Sequence, residues 1–133
     1  LGTRLGTFLD DEEGKDPFLT RARERNQEMS RLRGADNRVP LRFYSLGKGK
    51  TDRHMEPFYI EVPPETAEEE MFSTHEGEEF LVVLSGRIEV THGQQKYELE
   101  PGDSIYYNSA LPHCVVCKDQ EPAEIYAVLY FPQ

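Results

Sequence analysis

Two stretches decide the fold: His75-Glu76-Gly77-Glu78-Glu79-Phe80-Leu81-Val82-Val83-Leu84-Ser85-Gly86 and Pro101-Gly102-Asp103-Ser104-Ile105-Tyr106-Tyr107-Asn108-Ser109-Ala110-Leu111-Pro112-His113. Each joins an apolar β-type run to a turn made by Gly or Pro-Gly, and each carries imidazole or carboxylate beside that run. In the first, Leu81 and Val83 share one face of an extended chain, while Phe80, Val82 and Leu84 share the other. A strand apolar on both faces implies a closed barrel whose outer wall is covered, by the N-terminal segment or by a second subunit.

Outward from these stretches the same grammar repeats. Leu41–Leu46, Phe58–Val62, Arg87–Thr91, Lys96–Leu99, His113–Cys117 and Ile125–Phe131 read as strands, as do Glu79–Leu84 and Ser104–Tyr107. Turn signals separate them: Gly47-Lys48-Gly49, Pro63-Pro64, Ser85-Gly86, His92-Gly93, Pro101-Gly102 and Gln120-Glu121-Pro122. Many short strands at this spacing predict an all-β sandwich or barrel over residues 39–133. Residues 1–38 read differently, as the end of a helix, an acidic spacer and an arm. Asp16-Pro17 and Gly34 suit the two ends of a helix, but Arg21, Arg23, Arg25, Arg31 and Arg33 equally suit an extended segment at a sheet edge. Helix and strand both stay open for Arg21 to Arg33.

The strand period also gathers chemistry. His75 and Glu79 are four apart and share a face with Ser73 if the segment is extended, and His113 opens another strand. If those strands are neighbours, two imidazoles and a carboxylate converge, a set that suits Fe(II), Mn(II), Ni(II) or Zn(II). Tyr44 and Tyr106 offer hydroxyls to orient a small organic molecule, and Arg42 offers a partner for an anionic one, so with Ser73 they form the expected ligand pocket. Glu78 falls on the opposite face from Glu79, and His92, beside Gly93, reads as a surface turn residue. Glu65, Glu68, Glu69 and Glu70 read as a solvated loop over the barrel mouth. Cys114 and Cys117 are three apart and point to opposite faces of a strand, which argues against a disulfide between them.

These motifs resemble those of the cupin superfamily. His75 takes the second His of its first motif, Glu79 the Glu and Gly86 the closing Gly, while Ser73 stands where the first His is usual. Gly102-Asp103 opens the second motif and His113 is its ligand, with Asn108 where Pro is common. The resemblance implies a double-stranded β-helix, the jelly-roll cupin barrel. A closer likeness, His-x-Gly-Glu-Glu-Phe-x-x-Val-Leu-x-Gly, is to the C-terminal cupin domains of Xre-type helix-turn-helix transcriptional regulators. Leu1-Gly2-Thr3-Arg4-Leu5-Gly6-Thr7-Phe8-Leu9 is similar to the last helix of their DNA-binding domain and its exit. That likeness implies an effector-sensing domain, not an enzyme, working as a homodimer. DNA would be reached only through an N-terminal domain mostly missing from this chain.

The bulk numbers agree with that reading. The chain has 133 residues and a formal charge of −10, and residues 39–133 hold seventeen acidic against seven basic residues. Such a body repels phosphate backbones, so it is not itself the DNA reader. No run suits a membrane span, no signal peptide is visible, and two cysteines without a disulfide fit a cytoplasmic setting. No phosphate loop or nucleophile elbow appears. The alternative is a small metal-dependent cupin enzyme of dioxygenase or isomerase type.

Overall fold

The computed structural model describes residues 16–28 and 41–132. The Leu1–Leu9 segment and Arg31 to Arg38 lie outside the described residues. The described chain folds as β1 (Gln27–Glu28), β2 (Arg42–Ser45), β3 (Met55–Val62), β4 (Glu78–Ser85), β5 (Ile88–His92), β6 (Gln95–Leu99), β7 (Ser104–Asn108), β8 (His113–Cys117) and β9 (Ala123–Tyr130). All pairings are antiparallel, in a six-stranded sheet of order β1-β2-β3-β9-β4-β7 and a three-stranded sheet of order β6-β5-β8. This is the expected jelly roll, and every expected strand is present within a few residues of its expected ends.

Burial follows the period of two. Leu81 and Val83 of β4, Ile125, Ala127 and Leu129 of β9, Ile60 and Val62 of β3, and Ile88 and Val90 of β5 are all buried in one core. The two sheets enclose it, so inward positions are apolar and outward ones mixed. In β8 all five residues are buried. Its outer side is covered by a 3-10 helix, Pro64–Glu68, whose Thr66 hydroxyl donates to the Pro63 carbonyl (2.6 Å) and accepts from the Cys117 amide (2.8 Å). The expected loop at Glu65 to Glu70 is therefore partly a packed element, because one buried hydroxyl ties it to the sheet. Its glutamates remain exposed, and Glu70 meets Lys96 at 3.3 Å.

The arm takes the extended alternative over its described part. Ala22–Glu24 is a single 3-10 turn, and Gln27 and Glu28 then pair with Tyr44 and Phe43 of β2. The arm is anchored at two points, on the turn between β2 and β3 and on the outer face of the sheet. Phe18 packs so closely on Gly49 that any Cβ there would overlap its ring. The Arg25 guanidinium carbon lies 4.0 Å from the centroid of the Tyr59 ring, and its Nη2 donates to the Tyr126 hydroxyl at 3.1 Å. Beside them the Tyr59 hydroxyl donates to Glu124, which also accepts from Ser85 Oγ at 2.7 Å. The outer face of β4 is not covered in this way among the described residues: Phe80 and Leu84 are each 39% exposed. The arm lies at the far side of the sheet, so the cover expected from the β4 pattern reaches only part of the wall.

The Tyr59–Glu124 pair sets a pH dependence. The hydrogen bonds from Tyr59 and then Ser85, with Arg25 nearby, hold the Glu124 carboxyl below its usual range. Burial, then the bond to Glu124, pushes the Tyr59 hydroxyl up. A lowered carboxyl stabilises the fold above its unfolded value of about 4.3 and loses that contribution as pH falls through the folded value. A raised phenol stabilises below about 10 and loses its contribution as pH rises. Tyr59→Phe should therefore cost about 2 kcal/mol near pH 7. Its urea midpoint should also fall less steeply than wild type on acidification below about pH 4.3. Parallel midpoints at pH 7 and pH 3.5 would refute the coupling.

Candidate metal and ligand site

The two motif segments meet because their backbones are laced together. The Ser73 amide donates to the His113 carbonyl at 2.9 Å, and the His113 amide returns the bond at 3.0 Å. Two residues on, the His75 amide donates to the Ser109 carbonyl (3.0 Å) and the Ser109 amide to the Gly77 carbonyl (2.9 Å). The lacing carries residues 73–77 across the gap between the sheets and delivers His75 opposite His113. Gly77 makes the approach to β4 with φ +112°, a conformation that suits glycine alone. Any Cβ there would overlap the Tyr130 carbonyl oxygen.

Three side chains converge at the end of this lattice. Glu79 Oε1 lies 3.3 Å from His113 Nε2 and 3.6 Å from His75 Nε2, and the two imidazole rings are 5.2 Å apart. One ligand atom from each of the three lies within 4.8 Å of the others. The far nitrogens are already committed. His113 Nδ1 is 2.9 Å from the Leu111 carbonyl and His75 Nδ1 is 3.1 Å from the Glu76 carbonyl. A carbonyl can only accept, so each Nδ1 carries the proton and each Nε2 presents its lone pair to the cluster. That is how metal-ligating histidines are commonly held, so the residues fit a divalent transition metal. His113, Glu79 and His75 together would hold it.

Ser109 is the residue that sequence reasoning missed. It is fully buried, its hydroxyl donates to Glu79 Oε1 at 3.4 Å, and its backbone brackets His75 and Gly77. It lies in a loop where no periodicity marks a role. Aromatic rings complete the support: Tyr107 packs 5.2 Å from His113, and Phe131 packs 5.2 Å from His75.

The cluster forms one end of a cavity of about 370 Å³. Most of the side chains that line it are apolar: Leu41 just before β2, Phe43 from β2, Ile60 from β3, Leu81 from β4, and Ile125, Ala127 and Leu129 from β9 are among them. Ser73, Thr74, His75, Glu79 and His113 bring the polar groups to it. The structure thus brings His75, Glu79, His113 and Ser73 to one place.

It puts Arg42, Tyr44 and Tyr106 elsewhere, which corrects the expected pocket. Leu41 and Phe43 face inward, so Arg42 and Tyr44 face outward, where both bond Glu61 at 2.9 and 3.1 Å. Tyr106 is 66% exposed, and its hydroxyl donates to Glu78 on the outer face. Polar chemistry suggested these three, but strand parity decided against them. His92 sits opposite His113 in the β5–β8 register, but its Nε2 lies 2.9 Å from the Asn108 carbonyl and its ring stacks 4.9 Å from Tyr107, and it is not one of the three clustered ligands. No disulfide joins Cys114 and Cys117, both of which are buried.

Residues 58–129 match the family model described as the cupin domain. No curated protein matches the chain. Among solved structures, Fe(II)-HppE with the alternative substrate (S)-1-HPP superposes with a TM-score of 0.71 at 24% identity, covering 88% of this chain and 62% of that one. Hydroxypropylphosphonic acid epoxidase from S. wedmorenis in complex with fosfomycin gives a TM-score of 0.69 at 23% identity, covering 91% and 64%. An HTH_3 family transcriptional regulator from Vibrio cholerae gives 0.59 at 23% identity, covering 70% and 52%. At these identities the likeness is one of fold. The chain spans less than two thirds of the length of each of these structures.

Proposed function

The chain belongs to the cupin family, and from that premise we propose that it is the effector-sensing domain of a DNA-binding transcriptional regulator. The observation that carries this reading is where the arm lies. Arg25 sits on Tyr59 and Tyr126, and the residues next to these, Ile60, Ile125 and Ala127, line the cavity from the other side of the same strands. A ligand that fills the cavity presses on the wall to which the arm is fastened. It would favour one of two arm positions by its difference in affinity for them. The arm leads toward residues 1–9, which resemble the exit of a helix-turn-helix domain. In a homodimer, moving two arms would change the spacing of two DNA readers, which must match two half-sites. Cytoplasmic location and contact with DNA through the parent protein belong to the same proposal.

A metal at His75, Glu79 and His113 would supply a positive, oxygen-binding centre at the polar end of the cavity. The chain's own residues do the rest. The Leu111 and Glu76 carbonyls fix the imidazole tautomers, and Ser109 holds the carboxylate. The same two-histidine, one-carboxylate set favours a second reading, a metal-dependent cupin enzyme of dioxygenase or isomerase type. No paired acid and base stands out beside the triad among the described residues, so sensing is preferred.

The test is native mass spectrometry with elemental analysis of the purified chain, followed by limited tryptic digestion with any retained molecule or metal added. Sensing predicts slower cleavage at Arg21, Arg23 and Arg25 when the cavity is filled. Unchanged cleavage with a molecule that demonstrably binds would overturn it. Oxygen uptake by the Fe(II)-loaded chain would move the reading to the enzyme.

A further inference from the structure

We infer that the cavity is built for a small amphipathic monoanion: an apolar body of roughly ten heavy atoms ending in one carboxylate-type head. The inference rests on the metal-binding reading of His75, Glu79 and His113 and adds the class of molecule to it.

The charge balance selects the head. Two neutral imidazoles and one carboxylate around a divalent ion leave a single positive charge. One singly charged oxygen head neutralises it. A doubly ionised phosphonate would leave a net negative charge in a cavity whose lining holds no cationic side chain, where an unpaired charge is costly. Relief would need a lysine or arginine, and none lines the cavity among the described residues. The arginine nearest in sequence to the wall, Arg42, faces outward and is held by Glu61. The body is selected by the rest of the lining. Leu41, Phe43, Leu81, Ile125, Leu129 and Phe131 offer no hydrogen bonds from their side chains, so a hydroxyl-rich body would lose its water without replacement.

The solved structures that share the fold include hydroxypropylphosphonic acid epoxidase in complex with fosfomycin. The charge balance sets this chain apart from that substrate chemistry.

The experiment uses the chain loaded with Zn(II), which has no redox chemistry of its own, and isothermal titration with butanoate, hexanoate and octanoate. Butylphosphonate and hexylphosphonate, at a pH high enough to ionise them twice, form the second series. Carboxylate affinity should rise by up to roughly fourfold per methylene until the cavity is full. Each phosphonate should bind at least about tenfold more weakly than the carboxylate of equal length. Ala127→Leu, which narrows the wall, should move the best chain length down and leave zinc affinity unchanged. Affinity independent of length, or phosphonate binding as tight as carboxylate binding, would overturn the inference with zinc still bound. Failure of zinc to bind at all, shown by equilibrium dialysis, would overturn the metal reading and the monoanionic head with it.

Discussion

Gly77→Ala is expected to cost at least about 3 kcal/mol, a large fraction of the stability of a domain this size. Two penalties coincide at this residue. At φ +112° an L side chain is strained, and the added Cβ would strike the Tyr130 carbonyl oxygen at the end of β9. Neither can be relieved locally, because the Gly77 carbonyl is held by the Ser109 amide and the neighbouring residues are paired into β4. Urea unfolding at pH 7 checks this. A midpoint equal to that of wild type would mean that the approach to β4 is not made as described. Gly102→Ala is the control. It too has positive φ, but nothing lies within 4 Å of a Cβ there, so its cost should be the backbone strain alone.

The second large effect is on metal affinity. His113→Gln, which keeps much of the volume of a buried side chain, should weaken Zn(II) binding by at least about a hundredfold. The ligand atom it removes lies 3.3 Å from Glu79 Oε1 and is the most sheltered of the three, His113 being 4% exposed. Competition with a chromophoric chelator measures the loss, and circular dichroism shows whether the barrel survives. Ser73→His asks the converse question. Ser73 lines the cavity and is bridged to His113, where the family resemblance puts a further histidine, so the variant should bind zinc more tightly than wild type. Zinc affinity unmoved by His113→Gln would remove the triad from consideration.

The barrel was legible because its strands alternate cleanly between turn signals. Val62, Leu81, Val83 and Ile88 announce a core without any help from topology. His75, Glu79 and His113 were legible as a group because a period of two gives each a definite face, and the motif resemblance says that the faces meet. The failures at Arg42, Tyr44 and Tyr106 have one cause. In Leu41-Arg42-Phe43-Tyr44 either parity can be apolar enough to face inward, since a tyrosine or an arginine stem can line a core as well as a phenylalanine. Only the pairing of β2 with β3, Phe43 opposite Ile60, decides which does. Ser109 escaped for a different reason. Its role depends on hydrogen bonds between loops far apart in sequence, and no local pattern encodes such bonds. The arm was ambiguous because its thin apolar stripe satisfies neither helix nor strand. The partner that settles it, the aromatic outer face of β3 and β9, is supplied by other parts of the chain.

The alternation along β3 and β9 has a consequence for inheritance. Ile60 of β3 and Ile125 and Ala127 of β9 line the cavity, while their neighbours Tyr59 and Tyr126 seat the arm on the other side of the same strands. Two traits are thus written on one ribbon in interleaved letters. If the barrel senses as proposed, a codon change at an inward letter would alter what is recognised, and a change at an outward letter would alter the report. Descendants of a barrel working that way could then drift toward new small molecules without relearning how to announce them.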